Sequence, residues 1–298
     1  DVALSLLIEA NKSDPELIPA WTNLANAYIK LNKIEKAKQT CQKSLEINPN
    51  LETSHYLLSC IFIEENNFEK AETSTRKLIQ INPNFAEAHL NLSIVLQGLE
   101  RQEEAEIYAK NAININPNLP KAHYLLGTVL YSIGKLKEAE ISTRRATELD
   151  PNFLSAHLNL GVILRELGRF KEAEESTKNA IQLNPNGAEA YSTLGLILRE
   201  FGKLNEAELT IKKAIDLNPM NPYYHFNLAT VYYDLDNLEE SKKYYEKCLS
   251  INKNFDRALS GLGRVHLKSG NHLAGLEYLR KGDGFISFNH NASDIIIH

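Results

Sequence analysis

No stretch of this 298-residue chain approaches the roughly 20 consecutive apolar residues that a membrane-spanning helix requires, so no membrane partner is expected. Charge of one sign is also scarce. The formal net charge is −5, and the basic residues fall singly or in pairs such as Arg144-Arg145 and Lys242-Lys243. No basic stripe tracks a phosphate backbone, which argues against nucleic acid as a partner. Cys41, Cys60 and Cys248 lie far apart without a CxxC or Cys/His ligand spacing. Neither a zinc site nor a disulfide framework is signalled, and a reducing compartment, the cytoplasm, is the expected location. No glycine-rich phosphate loop follows a strand, and no Ser/His/Asp or Cys/His order suggests a catalytic set. No metal or cofactor is therefore expected, and the chain is read as non-enzymatic. Its one methionine is Met220, and the chain opens on Asp1, from which a missing natural start with any targeting signal is expected. Glycosylation-like triplets at Asn11, Asn91 and Asn291 are discounted, since Asn91 falls within a helical pattern and nothing else indicates secretion.

Proline is the informative presence. An Asn-Pro or Asp-Pro pair places proline at 15, 49, 83, 117, 151, 185 and 219, each 34 residues after the last, and the next point in phase is Lys253 after Asn252. Between prolines lie two helical patterns. In residues 154–187, Ala156, Leu160, Ile163, Leu164 and Leu167 recur at spacings of three and four, one apolar face of a helix. Gly168 then ends it. The residue just past a helix end commonly needs φ > 0, and that slot holds Asn32, Asn66, Gly134, Gly168, Gly202, Asp236 and Gly270, with Glu100 as the one poor fit. A second helix follows with Phe170, Ala173, Thr177, Ala180, Ile181 and Leu183 on its buried side, closed by Asn184-Pro185. Its early small residue recurs as Ala37, Ala71, Ala105, Ala139, Ala173 and Ala207, where two helices are expected to cross closely.

This pattern resembles the tetratricopeptide repeat. Trp21, Leu24-Ala25, Tyr28, Ala37 and Pro49 carry it in the first full repeat, and Tyr191, Leu194-Gly195, Leu198, Ala207, Ala214 and Pro219 in the sixth. The resemblance implies an all-α fold, a right-handed α-solenoid of tandem 34-residue helix-turn-helix repeats with a concave inner surface. It covers 1–282: a partial repeat at 1–17, full repeats over 18–255, and a degenerate one at 256–282 in which Gly275 and Gly282 replace alanines. Residues 283–298 read as two short extended apolar pieces around a polar turn, either a cap in which Phe285, Ile286 and Phe288 fold back, or the start of a further domain. The apolar run at 2–8 is poorly suited to solvent, so this end is expected to pack on a second molecule or on a missing repeat.

His55, His89, His123, His157 and His225 share the fourth position of their repeats. One repeat apart, they are too distant to share a metal and read as packing groups. Paired acids such as Glu103-Glu104 and Glu174-Glu175 read as solvated surface. By resemblance, the groove is lined by the second, fifth, sixth, ninth, twelfth and thirteenth positions of each first helix. The sixth holds Asn23, Leu57, Asn91, Leu125, Asn159, Thr193 and Asn227, so asparagine returns every second repeat. An amide offers both a donor and an acceptor to a peptide backbone, and it can equally serve local packing. Tyr56, Tyr124 and Phe226 supply an aromatic lining, and Arg165 and Arg199 either anchor an acidic ligand or pair with acids of the groove.

The run Ala156 to Gly168 is similar to the repeats in the arm of the transferase that adds O-linked N-acetylglucosamine to proteins. Two functions follow as expectations. One is a non-catalytic protein–protein interaction scaffold holding an extended peptide or helix in its groove, with self-association through its apolar ends. The other is the substrate-recruiting arm of a larger enzyme. Lysine is absent from the fifth position and asparagine occupies the ninth only at Asn26, which disfavours chaperone tails.

Overall fold

The computed structural model describes residues 2–14 and 16–283 and two strands beyond them. The chain forms an all-α solenoid of helical hairpins that divides into two compact units, 1–151 and 152–298. The first unit holds α1 (Val2–Ser13), α2 (Ile18–Lys30), α3 (Ile34–Ile47), α4 (Glu52–Glu64), α5 (Phe68–Ile81), α6 (Ala86–Gly98), α7 (Gln102–Ile115), α8 (Pro120–Ser132) and α9 (Leu136–Leu149). The second holds α10 (Leu154–Glu166), α11 (Phe170–Leu183), α12 (Ala188–Glu200), α13 (Leu204–Leu217), α14 (Pro222–Asp234), α15 (Leu238–Ile251), α16 (Asp256–Lys268) and α17 (His272–Asp283). After them β1 (Ile286–Asn289) pairs antiparallel with β2 (Asp294–Ile297), Ile286 opposite Ile297, at the two extended pieces expected there. Phe285 lies outside the described residues, as do the side chains of Ile286 and Phe288.

Each hairpin closes because its two helices approach to near backbone contact. The six recurrent alanines from Ala37 to Ala207 are fully buried. Facing positions on the first helix are equally small: a methyl added at Gly127 or Gly161 would overlap the hydroxyl of Thr143 or Thr177, and one at Gly195 would overlap Ile211. Where serine stands instead, it hydrogen-bonds inward, Ser59 Oγ to Thr75 Oγ1 at 2.6 Å and Ser93 Oγ to the Ala105 carbonyl at 2.8 Å. The eighth hairpin follows the same rule more tightly. A Cβ at Gly275 would lie 3.0 Å from the Gly263 carbonyl and 2.7 Å from the Leu267 side chain, so the glycine that looks like erosion in the sequence is what lets α16 and α17 cross.

The positive-φ slot falls where the register places it. Among the described residues it comprises Asn32, Asn66, Gly134, Gly168, Gly202, Asp236, Gly270 and also Glu100 at φ 60°. Each is a Schellman turn, as in Lys33 N–H to the Tyr28 carbonyl at 2.8 Å and Asn32 N–H to that of Ile29 at 2.9 Å. The link between hairpins is fixed twice. The Asn side chain before proline accepts from the amide two residues on, as Asn48 Oδ1 does from Asn50 at 3.0 Å. The fourth-position histidine of the next repeat then clips the proline carbonyl. His55 Nε2 reaches Pro49 O at 3.0 Å, and His89, His123 and His225 reach Pro83, Pro117 and Pro219 at 2.8 Å. A carbonyl only accepts, so Nε2 carries the proton. Tyr191 makes the same bond through its hydroxyl to Pro185 at 3.2 Å.

The helix-surface acids depart from the expectation of plain solvated surface. Glu174 is only 12% exposed and is held by Lys178 at 2.6 Å, within its helix, and by Lys203 at 2.9 Å, at the start of the next second helix. Glu106 repeats this with Lys110 and Lys135, and Glu72 with Arg76 and Arg101. In the first hairpin the signs invert: Lys38 bridges Glu35 and Glu65. Of the pair Glu103-Glu104, Glu104 is held by Arg101 at 2.6 Å within its own hairpin, while Glu103 is exposed, as is Glu175. The bridges from Glu72 to Arg101, Glu106 to Lys135 and Glu174 to Lys203 join successive hairpins. The sequence could not show them, because the partner lies 29 residues ahead and meets its acid only after stacking.

Of the apolar face assigned to 170–183, Leu183 is the exception, exposed at the end of α11. At the other terminus α1 is a helix that packs Leu4, Leu7 and Ile8 on Leu24, Tyr28 and Ala37, and leaves Leu6 in solvent.

Two outcomes are expected. Glu100→Gly removes a bulky residue from the left-handed region and should raise stability by about 0.5–1 kcal/mol, seen as a higher urea midpoint; a lower midpoint contradicts the strain. The lysine bridges hold the Glu106 and Glu174 carboxyls below the ordinary range, first through Lys110 and Lys178 and then through Lys135 and Lys203. A depressed folded-state pKa contributes stability that is complete above the unfolded value of about 4.3 and is lost as pH falls through the folded one. Glu106→Gln should therefore lower stability by about 0.5–1 kcal/mol at pH 7 and flatten the acid limb of a pH–stability curve. An unchanged acid limb would count against the bridge.

Candidate functional site

Within each unit the first helices touch one another directly, α2 with α4, α4 with α6 and α6 with α8, and α10 with α12, α12 with α14 and α14 with α16. Among the described residues no comparable contact joins successive second helices. Each unit therefore curves with its first helices inside, and the candidate site is the inner face they form.

The asparagines at the sixth position differ among themselves. Asn23 is exposed on α2. Asn91 and Asn227 are buried at 9% and 8% exposure, and their amide nitrogens are engaged by the preceding first helix. Asn91 Nδ2 donates to Ser59 Oγ at 3.4 Å and lies 3.5 Å from Cys60 Sγ, and Asn227 Nδ2 donates to Ser192 Oγ at 3.0 Å. Asn159 is half-buried, and its Nδ2 makes no hydrogen bond. The set thus contains one exposed amide, two that hold neighbouring repeats together, and one unspent donor.

The aromatic residues form wall rather than tips. Tyr56 is half-buried against Phe85, ring centres 5.4 Å apart, and burial, seconded by Cys60, pushes its hydroxyl up to about 12. Tyr124 is half-buried on α8. Phe226 packs on Phe255 at 5.3 Å and on Tyr245 at 5.9 Å. Arg165 lies beside Glu166 at 2.5 Å and 3.6 Å from Glu200, and Arg199 is held by Asp234 at 2.5 Å. Both arginines are thus neutralised by carboxylates of the same face.

Two cations escaped the sequence reading because the eighth repeat was set aside as degenerate. Carrying the register into α16 places Arg257 and Arg264 at the second and ninth positions, both exposed and in no ion pair among the described residues. Between them, at the sixth position, Gly261 leaves room for the ring of Tyr245, which a methyl group there would overlap. Tyr245 is 4% exposed, and burial raises its hydroxyl well above the ordinary value, against the pull of Arg199 and Arg264. Tyr223, at the second position of α14, is 58% exposed and meets Phe255 edge-on at 4.9 Å.

Little else here is reactive. Burial pushes the Cys41 thiol up to about 12 and that of Cys248 up to about 11, leaving both protonated. Among the described residues no three His, Cys, Asp or Glu side chains gather as a metal site, and no helix is long and apolar enough to cross a membrane.

Family models described as tetratricopeptide repeat match residues 18–51, 52–85, 86–119, 120–153, 155–186 and 222–255, and one described as TPR repeat matches 195–236. No curated protein matches the chain. Among solved structures, PilF of Pseudomonas aeruginosa is 22% identical with a TM-score of 0.56, covering 65% of this chain and 88% of that one. YrrB, described as a TPR protein with an unusual peptide-binding site, is 25% identical with a TM-score of 0.51, covering 62% and 95%. The Cut9 complex with Hcn1 from the APC/C gives 17% and 0.65, covering 92% of this chain and 54% of its own.

If Asn227 serves packing, Asn227→Ala should cost about 1 kcal/mol, and a cycle with Ser192→Ala should show coupling of about 0.5–1 kcal/mol in urea unfolding. Additive losses would show that the two side chains act independently.

Proposed function

The chain belongs to the tetratricopeptide repeat family, and from that premise we propose that it is a non-catalytic scaffold whose inner face holds an extended peptide of a protein partner. Arg257 and Arg264 carry this reading. A positively charged side chain left unpaired on a face where Arg165 and Arg199 are both matched by carboxylates has unspent electrostatic capacity. The neighbouring exposed ring of Tyr223 offers apolar area with a hydroxyl at its rim, the combination favoured at binding surfaces. The ligand is then a segment bearing acidic and apolar side chains. Guanidinium groups grip carboxylates bidentately. Within the same unit, 152–298, Asn159 keeps one buried donor unspent beside this face, whereas Asn227 acts chiefly by keeping it rigid.

The test compares proteins captured from a cell lysate by the chain and by an Arg257→Glu, Arg264→Glu variant. Both side chains are exposed, so thermal melting should not change, while specific capture should fall at least about tenfold, the loss expected of a reversed charge pair. An identical captured set from an equally stable variant overturns the proposal.

A further inference from the structure

A second site lies away from the inner face, in a cleft of about 310 Å³ between α1, α2 and α3. It is built around Asn11. This residue is 6% exposed, yet neither Nδ2 nor Oδ1 has a hydrogen-bond partner. Stepping by 34, the same register position holds Leu45, Ile79, Ile113, Thr147, Ile181, Ile215 and Leu249. Ile79, Ile113, Ile181 and Ile215 pack into the apolar clusters of their repeats. An amide in place of that packing residue leaves a desolvated donor and acceptor, each of which loses its hydrogen bonds to water without gaining one from the protein. Such a local violation of the repeat's own pattern is what a ligand site leaves behind.

The walls state what would satisfy it. Ile8, Leu24 and Tyr28 line an apolar floor. Lys12, Lys36 and Lys43 stand around the mouth, all exposed and none in an ion pair among the described residues. Lys36 rests over the Tyr28 ring with its ammonium 5.9 Å from the centroid. The complement is a negatively charged group joined to a unit that both donates and accepts a hydrogen bond, with a short apolar portion. An acidic residue within a peptide has all three: a carboxylate for the lysines, a peptide group for Asn11, and methylenes for the floor. We propose that this cleft binds an acidic peptide segment, independently of the inner face.

The probe is acetyl-Glu-Leu-Glu amide titrated into the chain, with acetyl-Lys-Leu-Lys amide and sodium acetate as controls. The readout is the Asn11 side-chain amide signal in a heteronuclear NMR spectrum, assigned by its loss in Asn11→Leu. Saturable movement of that signal with the acidic peptide alone is expected. Asn11→Leu restores the repeat's own residue, so it should raise the melting temperature while weakening peptide binding, followed by the backbone signals of residues 36 and 43, at least tenfold. Equal movement with acetate or with the basic peptide, no movement at all, binding unchanged in Asn11→Leu, or a lowered melting temperature, which marks an amide serving the core through water, each overturns the proposal.

Discussion

The near contact of two helix backbones within a hairpin governs the rest of this molecule. At the crossing, one helix contributes Ala37, Ala71, Ala105, Ala139, Ala173 or Ala207, every one fully buried, and the other contributes glycine, alanine or serine. Side chains facing the crossing are sized in answer. Thr143 and Thr177 fill the space above Gly127 and Gly161, and Ile211 that above Gly195. Helices held so closely are stiff hairpins, and stacking a stiff hairpin on the next buries what it cannot bury alone. The groove residues are therefore consequences of the crossing, since its tightness sets how far apart successive first helices stand.

Stacking is secured by different chemistry on each side of a hairpin. Inside, Asn91 and Asn227 reach back to a serine of the preceding first helix. Outside, Glu72, Glu106 and Glu174 reach forward to a basic residue of the following second helix. At the turns, histidine or tyrosine clips a proline carbonyl that has left its helix. Each is modest alone, and exposed ion pairs in particular contribute little. Repetition makes them matter, because the stability of a linear array is a sum of neighbour terms with no central core to compensate a weak one.

Much of this was legible in the sequence, for a physical reason. Proline, glycine and alanine act through local geometry, so the register of Asn-Pro pairs places helix ends, the positive-φ residues and the crossings. Even Glu100 obeys that register against its own preference, since its neighbours leave the backbone no other path. What stayed hidden depends on stacking. Histidine at the fourth position was readable as packing, but its proline partner was not, because six residues of turn must fold before the ring can reach back. Glu174 looked like surface because Lys203 becomes its neighbour only when two hairpins meet. Arg165 and Arg199 offered two readings, and their nearness to Glu200 and Asp234, one repeat on, could not be seen before the repeats stack.

The same logic explains why polar groups out of pattern are the places to look for ligands. In a repeat array each position has the answers of its equivalents beside it, so an exception is measured against its own chain. Asn91 differs from Leu57, yet its donor is spent on Ser59 and the exception is explained from within. Arg199 is explained likewise by Asp234. Arg257 and Arg264 are not, since no carboxylate among the described residues answers them, and Asn11 is not, since neither amide atom is answered at all. An unanswered group on an exposed face loses little by waiting, because water solvates it. One that is buried lowers the stability of the free protein, and its place in a register otherwise held by leucine, isoleucine and one threonine marks it as the position where a ligand would restore what burial removes.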